Sequence, residues 1–288
     1  MKTTLRLAPR RHLPIAFALA STLAFSGLAA AQSYVSLDCP GADFTQPHGI
    51  NDRGDIVGNC DGASQQGFLL HHGAWTPIVV PGALATRALG TNNRGDVVGR
   101  FDGTDGTSHG YLLRHGVFTT LDPPGSTYTA ARDIDDLGRI AGFYDDADGN
   151  EHGFLLENGV YKTLDYPGSL ATDAYGNDAL RRVVGLYFDS DGNAHGFLWK
   201  NGAWSTIDYP GALTSEANGI NILGLIVGAW DDASTEHGFV KRGGHWESFD
   251  YPGAVATTPF GLNTLGEIVG GYLGADGNIH GFLRTCGN

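Results

Sequence analysis

The chain has 288 residues, with 18 Lys and Arg against 31 Asp and Glu, for a formal net charge of −13. So acidic a balance excludes a nucleic-acid binder and disfavours anionic membrane surfaces, since phosphate contacts need clustered Lys and Arg. With 44 Gly, one Met and short β-type runs, the composition points to an all-β chain of many tight turns.

Residues 1–31 read as a signal peptide. Lys2, Arg6, Arg10 and Arg11 form a basic n-region, Leu13 to Leu28 is apolar, and Ala29-Ala30-Ala31 is a small-residue cleavage site. A signal-anchor helix is the alternative, but the apolar run is short for a span. Cleavage before Gln32 leaves 14 basic residues against 31 acidic ones, a net of −17. The expected product is a soluble monomer, secreted or periplasmic, without membrane insertion.

From residue 32 onward the chain repeats. A strand ending in Pro-Gly closes at Gly41, Gly82, Gly125, Gly168, Gly211 and Gly253, at intervals of 41 to 43 residues. This period is that of a four-stranded propeller blade. In the third unit the pattern predicts strand a over Thr129 to Ile134, strand b over Arg139 to Tyr144, strand c over His152 to Glu157 and strand d over Val160 to Asp165. Asn158-Gly159 joins c to d, because both central residues of a type I′ turn need positive φ. Tyr166-Pro167-Gly168 ends d, since Pro cannot donate to a ladder and Gly permits a bend.

The ends of the chain are offset. It begins with a lone strand d, Tyr34 to Asp38, and finishes after a strand c, His280 to Thr285. The fold expected is therefore all-β, a six-bladed β-propeller of four-stranded blades in one domain, 32–288, closed by the N-terminal strand completing the last blade. A linear β-solenoid is the runner-up and would not need the offset ends. Units such as Gly219-Ile220-Asn221, Ile226-Val227-Gly228, His237-Gly238-Phe239, Trp246 and Asp250-Tyr251-Pro252-Gly253 resemble the HAF repeats of bacterial extracellular proteins. The resemblance covers essentially the whole mature chain and implies a repeat protein. It carries over no catalytic residues.

Counting outward from the c–d turn sets His109 opposite Asp122, His152 opposite Asp165, His195 opposite Asp208 and His237 opposite Asp250, while ring closure pairs His280 with Asp38. In the first unit both partners vanish together, as Gln66 and Val79. Directly opposed side chains are the unit of sheet stabilisation. These pairs are therefore expected to be scaffold rather than repeated acid–base dyads, and a metal ring of histidines is disfavoured because Asp already occupies one ring nitrogen. Whether the imidazoles are charged is left open.

Between b and c lie Asp-rich loops, among them Asp146-Ala147-Asp148-Gly149-Asn150 and Asp189-Ser190-Asp191-Gly192-Asn193. They read first as turns. Weak calcium binding at Asp146, Asp148, Asp189 and Asp191 is the alternative, without the acidic residue that completes an EF-hand loop; no other cofactor is expected. Cys39 and Cys60 fall at the ends of strands d and b, on one face, and are expected to form a disulfide across the closure point. Cys286 falls on the opposite face and is left over.

Where the units disagree, function has room. One side of strand a is nearly constant: Thr45, Thr86, Thr129, Thr172, Ser215 and Thr257. The other varies, first at Gln46, Arg87, Ala130, Asp173, Glu216 and Thr258, then at His48, Leu89, Arg132, Tyr175, Asn218 and Phe260. Period-two alternation places both variable positions on one side of the innermost strand. His48, Arg87, Arg132, Asp173, Tyr175 and Glu216 are thus the expected ligand-binding residues of a channel mouth. The function that follows is a non-catalytic binding propeller for a small polar ligand, a glycan or a protein. A hydrolase or lyase at the same mouth, with His48 reaching Asp173 or Glu216, is the first alternative. A calcium-dependent binder using the b–c loops is the second.

Overall fold

The computed structural model describes residues 32–61 and 65–286, with Cys286 described by its backbone alone. The expected signal peptide 1–31 and the Cys286 thiol lie outside the described residues. Every regular element described is a strand. The chain enters on β1 (Gln32–Leu37) and then repeats an antiparallel four-strand meander. The first is β2 (Thr45–Ile50), β3 (Ile56–Asp61), β4 (Gln65–His71) and β5 (Ala74–Ile78). The second is β6 (Ala85–Thr91), β7 (Val97–Asp102), β8 (Ser108–Arg114) and β9 (Val117–Leu121); the third is β10 (Tyr128–Ile134), β11 (Ile140–Asp145), β12 (Glu151–Glu157) and β13 (Val160–Leu164). The fourth is β14 (Ala171–Asn177), β15 (Arg182–Phe188), β16 (Ala194–Lys200) and β17 (Ala203–Thr206). The fifth is β18 (Thr214–Ile220), β19 (Leu225–Asp231), β20 (Glu236–Arg242) and β21 (His245–Phe249), and β22 (Ala256–Leu262), β23 (Ile268–Leu273) and β24 (Ile279–Cys286) finish the chain.

The sheets number five, four of four strands and one of eight. Six separate four-stranded sheets were expected. The difference comes from β10, which starts at Tyr128 and makes one parallel pairing with Ser108 of β8, fusing the second and third meanders. β1 pairs antiparallel with β24 along its length, Val35 opposite Leu283, and so supplies the fourth strand of the last sheet.

Inside each meander the sequence dictates the packing. In the c–d hairpin Glu157 faces Val160 and Leu156 faces Tyr161, around a turn where Asn158 has φ 53° and Gly159 φ 77°. Phe154 of β12 is fully buried and packs against Gly142 of β11, its register partner. A Cβ on Gly142 would stand 2.1 Å from the Ala130 carbonyl oxygen and 2.6 Å from the Phe154 ring, so only Gly fits. The constant Thr of strand a also has a stated task. Thr45, Thr86, Thr172, Ser215 and Thr257 accept through Oγ from the backbone N–H of Cys39, Val80, Tyr166, Tyr209 and Tyr251 at 2.9–3.0 Å. Pro123 has no N–H to give, and there Thr129 turns to donate to Ser126 Oγ instead.

Two devices join neighbouring units. At one end, Tyr166 stacks on Tyr187, Tyr209 on Trp230 and Tyr251 on Tyr272, with ring centroids 3.7, 4.3 and 3.8 Å apart. The corresponding place between the last sheet and the first holds the Cys39–Cys60 disulfide. At the other end, side chains in the a–b turns donate to the backbone carbonyl of the next unit. Asn51 reaches Asn92 O, Asn92 reaches Asp135 O, Arg139 reaches Asp178 O, Arg182 reaches Asn221 O, Asn221 reaches Asn263 O, and Asn263 returns to Asn51 O, all at 2.9–3.2 Å.

Candidate functional site

Each strand a contains a β-bulge. Its register shifts between Pro47 and Gly49, Ala88 and Gly90, Ala131 and Asp133, Ala174 and Gly176, Ala217 and Gly219, and Pro259 and Gly261. The unpaired residue is in each case the second variable position: His48, Leu89, Arg132, Tyr175, Asn218 and Phe260. A bulge re-aims the residue that it leaves unpaired. These six side chains line one cavity of about 140 Å³. Its walls run on to the a–b turns, where Asp52, Asn93, Asp136, Ile222 and Thr264 frame an opening. Leu137, Leu180, Leu223 and Leu265 stand exposed around that face.

The expected site is therefore divided. His48, Arg132 and Tyr175 line the cavity, whereas Arg87, Asp173 and Glu216 are not among its lining residues. Strict alternation had placed all six together; the bulge breaks it. Arg87 donates to Gln65 and lies 3.6 Å from Asp102. Glu216 accepts from Asn218 Nδ2 at 2.7 Å. Asp173 accepts from Tyr175 Oη at 3.0 Å through one oxygen, while the other finds no donor among the described residues. Burial, then the Glu151 carboxyl beside it, pushes Asp173 up to about 8.

Across the cavity, Arg132 stacks on the Tyr175 ring at 4.6 Å and His48 on Phe260 at 4.7 Å. His48 Nε2 donates to Asn59 Oδ1 at 2.9 Å. It makes no hydrogen bond to Asp173 or Glu216, the contact an acid–base site here called for. Burial, and after it the charge of Arg132, holds His48 down to about 3, so the ring is neutral and Nδ1 carries a free lone pair. Among the described residues that Nδ1 is buried without a partner, as are Arg132 Nε and Asn177 Oδ1. Buried polar atoms are nearly always satisfied, and these three belong to residues that line the cavity. Asn177 was not singled out from the sequence, although a signal was present: at the end of β14 it stands where the other units have Ile50, Thr91, Ile134, Ile220 and Leu262.

The opposed pairs lie apart from this cavity. His109, His152, His195, His237 and His280 meet Asp122, Asp165, Asp208, Asp250 and Asp38 through Nδ1 at 2.8–3.0 Å. A second carboxylate approaches Nε2 of each ring: Asp105, Asp146, Asp189, Asp232 and Asp276, at 3.2–3.6 Å. Each ring also rests against an aromatic of strand b, for example His237 on Trp230 at 4.8 Å. Burial lowers the imidazole values of the first four, but the flanking carboxylates outweigh it; for His280 the bond to Asp38 dominates, and all five are raised. The protonated state is thus the one this setting favours, which the sequence had left open.

Of the loop carboxylates considered for calcium, Asp146 and Asp189 are engaged in these relays. Asp146 Oδ1 accepts from the N–H of Asp148 and Asn150, and Oδ2 from the Asn150 amide at 3.0 Å. Asp189 repeats the pattern with Asp191 and Asn193, and Asp148 and Asp191 point to solvent. Among the described residues no group of three or more His, Cys, Asp or Glu converges as a metal site. In the first unit, Gln66 and Val79 replace the relay and the disulfide stands beside them.

No protein-family model matches the chain, and no curated protein matches it. Solved structures do. The chain is similar to the Aleuria aurantia lectin, described as a six-bladed β-propeller with a novel fucose recognition mode, at 10% identity and a TM-score of 0.51 over 88% of this chain and 91% of that one. The chain is a β-propeller. It is also similar to AofleA from Arthrobotrys oligospora, at 13% identity and a TM-score of 0.51 over 89% of this propeller and 93% of that protein. The β-propeller domain of the Trilobed protease from Pyrococcus furiosus, described as having an open velcro topology, matches at 9% identity and a TM-score of 0.53, covering 84% of this chain and 94% of that one. At such identities the likeness is one of fold.

Proposed function

We propose that this chain is an exported, non-catalytic propeller of the HAF type that binds a small polar ligand, a glycan unit, in its axial cavity. The observation that carries the reading is the set of buried, unpartnered polar atoms around that cavity: His48 Nδ1, Arg132 Nε and Asn177 Oδ1. Its volume, about 140 Å³, is close to that of an engineered cavity known to accept a six-membered ring. Fucose recognition by the Aleuria aurantia lectin, whose fold this chain resembles, supports the class of ligand.

The blade count belongs to the same reading. The eight-stranded sheet is two four-stranded meanders held by a single parallel pairing, so we count six blades. The β1–β24 pairing and the Asn263-to-Asn51 hydrogen bond support closure of the ring. The Cys39–Cys60 disulfide fits an oxidising compartment, secreted or periplasmic.

Saturation-transfer NMR of the purified protein against a panel of monosaccharides tests the reading. At least one sugar is expected to show transfer, lost on filling the cavity with Asn218→Phe while the melting temperature holds. No transfer from any sugar, or transfer untouched by the filled cavity, contradicts it.

A further inference from the structure

Arg132 is the cation of the axial cavity, and it is unpaired. Its guanidinium stacks on Tyr175, yet it makes no hydrogen bond and no ion pair among the described residues, and its Nε is buried without a partner. The nearby carboxyls are each held by other groups. Asp133 accepts from the backbone N–H of Ile134 and Asn177, both at 2.9 Å. Asp173 is engaged by Tyr175 and sits against Glu151, and Glu216 accepts from Asn218. Burial above all raises Asp133 to about 7, Asp173 to about 8 and Glu216 to about 7, further weakening them as counter-ions. Arg132 is partly buried, with only its Nε shielded, and a planar guanidinium without an ion-pair partner is best matched by a carboxylate.

The rest of the cavity is of another kind. His48 Nδ1 and Asn177 Oδ1 are free acceptors and want O–H donors. At the opening, Asp52 accepts from the Thr264 N–H and the Asn93 amide. We infer that the cavity takes a sugar acid, a hydroxylated ring of uronate type, with its carboxylate on Arg132 and its hydroxyls donating to His48 and Asn177. This rests on the axial cavity being the ligand site, and it names the ligand's class.

Isothermal titration of the purified protein with D-galacturonate, D-galactose, acetate and a short oligogalacturonide tests it. Galacturonate is expected to bind at least tenfold more tightly than either galactose or acetate, with the preference over galactose shrinking as salt is raised. Arg132→Gln is expected to abolish that preference, and Arg132→Lys to keep part of it. The oligomer binding more tightly than the monomer identifies a terminal residue of a glycan as the source; the monomer binding better identifies a free sugar acid. Galactose binding as tightly as galacturonate overturns the inference while leaving the cavity reading intact. The wild-type comparison and its salt dependence decide this even if an Arg132 variant fails to fold. Absence of binding by every sugar, acidic or neutral, sinks both.

Discussion

Arg139 donates through Nη2 to the carbonyl oxygen of Asp178, 3.2 Å away in the next unit. In four of the units an Asn amide makes this bond. Asp135 and Asp178 cannot donate, and each has an Arg four residues on that does, while its Nε holds the Asp at 2.7 Å. Asn221 makes the bond with Leu225 at the fourth position instead. Arg139→Ala leaves Asp135 buried and unpaired and is expected to cost about 3–5 kcal/mol. The double change Asp135→Asn with Arg139→Leu, copying the fifth unit, is expected to recover most of it. Urea melts of the two variants check both values.

Stability should decline toward alkaline pH. The relay histidines have raised values, so their contribution is complete below about 6.5, the ordinary imidazole value, and is lost as pH rises through the raised ones. Asp133, Asp173 and Glu216 act the same way: burial raises them to about 7, 8 and 7, so the folded state keeps protons that the unfolded state releases above about 4. The loop carboxylates Asp146 and Asp189 are lowered by hydrogen bonds from Asn150 and Asn193, and their contribution is lost only as pH falls below about 4. His48 runs the other way: burial holds it down to about 3, so it withdraws stability as pH falls below about 6.5. The groups with raised values are the more numerous, so the melting temperature is expected to decline toward pH 9, with His48 offsetting part of the gain on the acid side. Asp173→Asn should flatten part of the decline. A melting temperature that climbs from pH 5 to 9 contradicts the charge assignment.

The Cys39–Cys60 disulfide spans 21 residues and ties the last sheet to the first. Loop-closure entropy sets its contribution at about 3 kcal/mol. Cys39→Ser with Cys60→Ser is expected to lower stability by that amount in denaturant titrations, and reductant should mimic the variant.

Gly142→Ala places a methyl 2.1 Å from the Ala130 carbonyl oxygen, where backbone rather than a movable side chain must yield. Overpacking of this kind costs about 1–3 kcal/mol or more. Its effect should far exceed that of Gly244→Ala, where nothing lies within 4 Å. Parallel melts of the two variants provide the comparison.

What could be read before the structure was local or repeated. The turn at Asn158-Gly159 fixes the c–d register, and that register brings His152 to Asp165. The Cys39–Cys60 link followed from aligning strand ends. The division of the channel residues did not follow, because period-two counting assumes an unbroken ladder. A signal was present: Gly49, Gly90, Gly176, Gly219 and Gly261 each follow the bulged residue, and Gly within a strand often marks a bulge or a close approach. Here it marks both, for a Cβ on Gly90 would stand 2.7 Å from Asp133 Cα of the next inner strand. The second carboxylate on each relay histidine and the Arg139 bond to Asp178 were illegible for another reason. Both depend on how a loop or a neighbouring unit folds back, which no spacing along one strand encodes.

The central claim is that the six bulge residues build a ligand site on the axis. Its most direct test is a ¹H–¹⁵N correlation titration of the labelled protein with the best-binding sugar. The account predicts shifts concentrated at Arg132, Tyr175, Asn177 and Asn218, with the blade surfaces unmoved. Shifts confined to the outer surface between blades would contradict it.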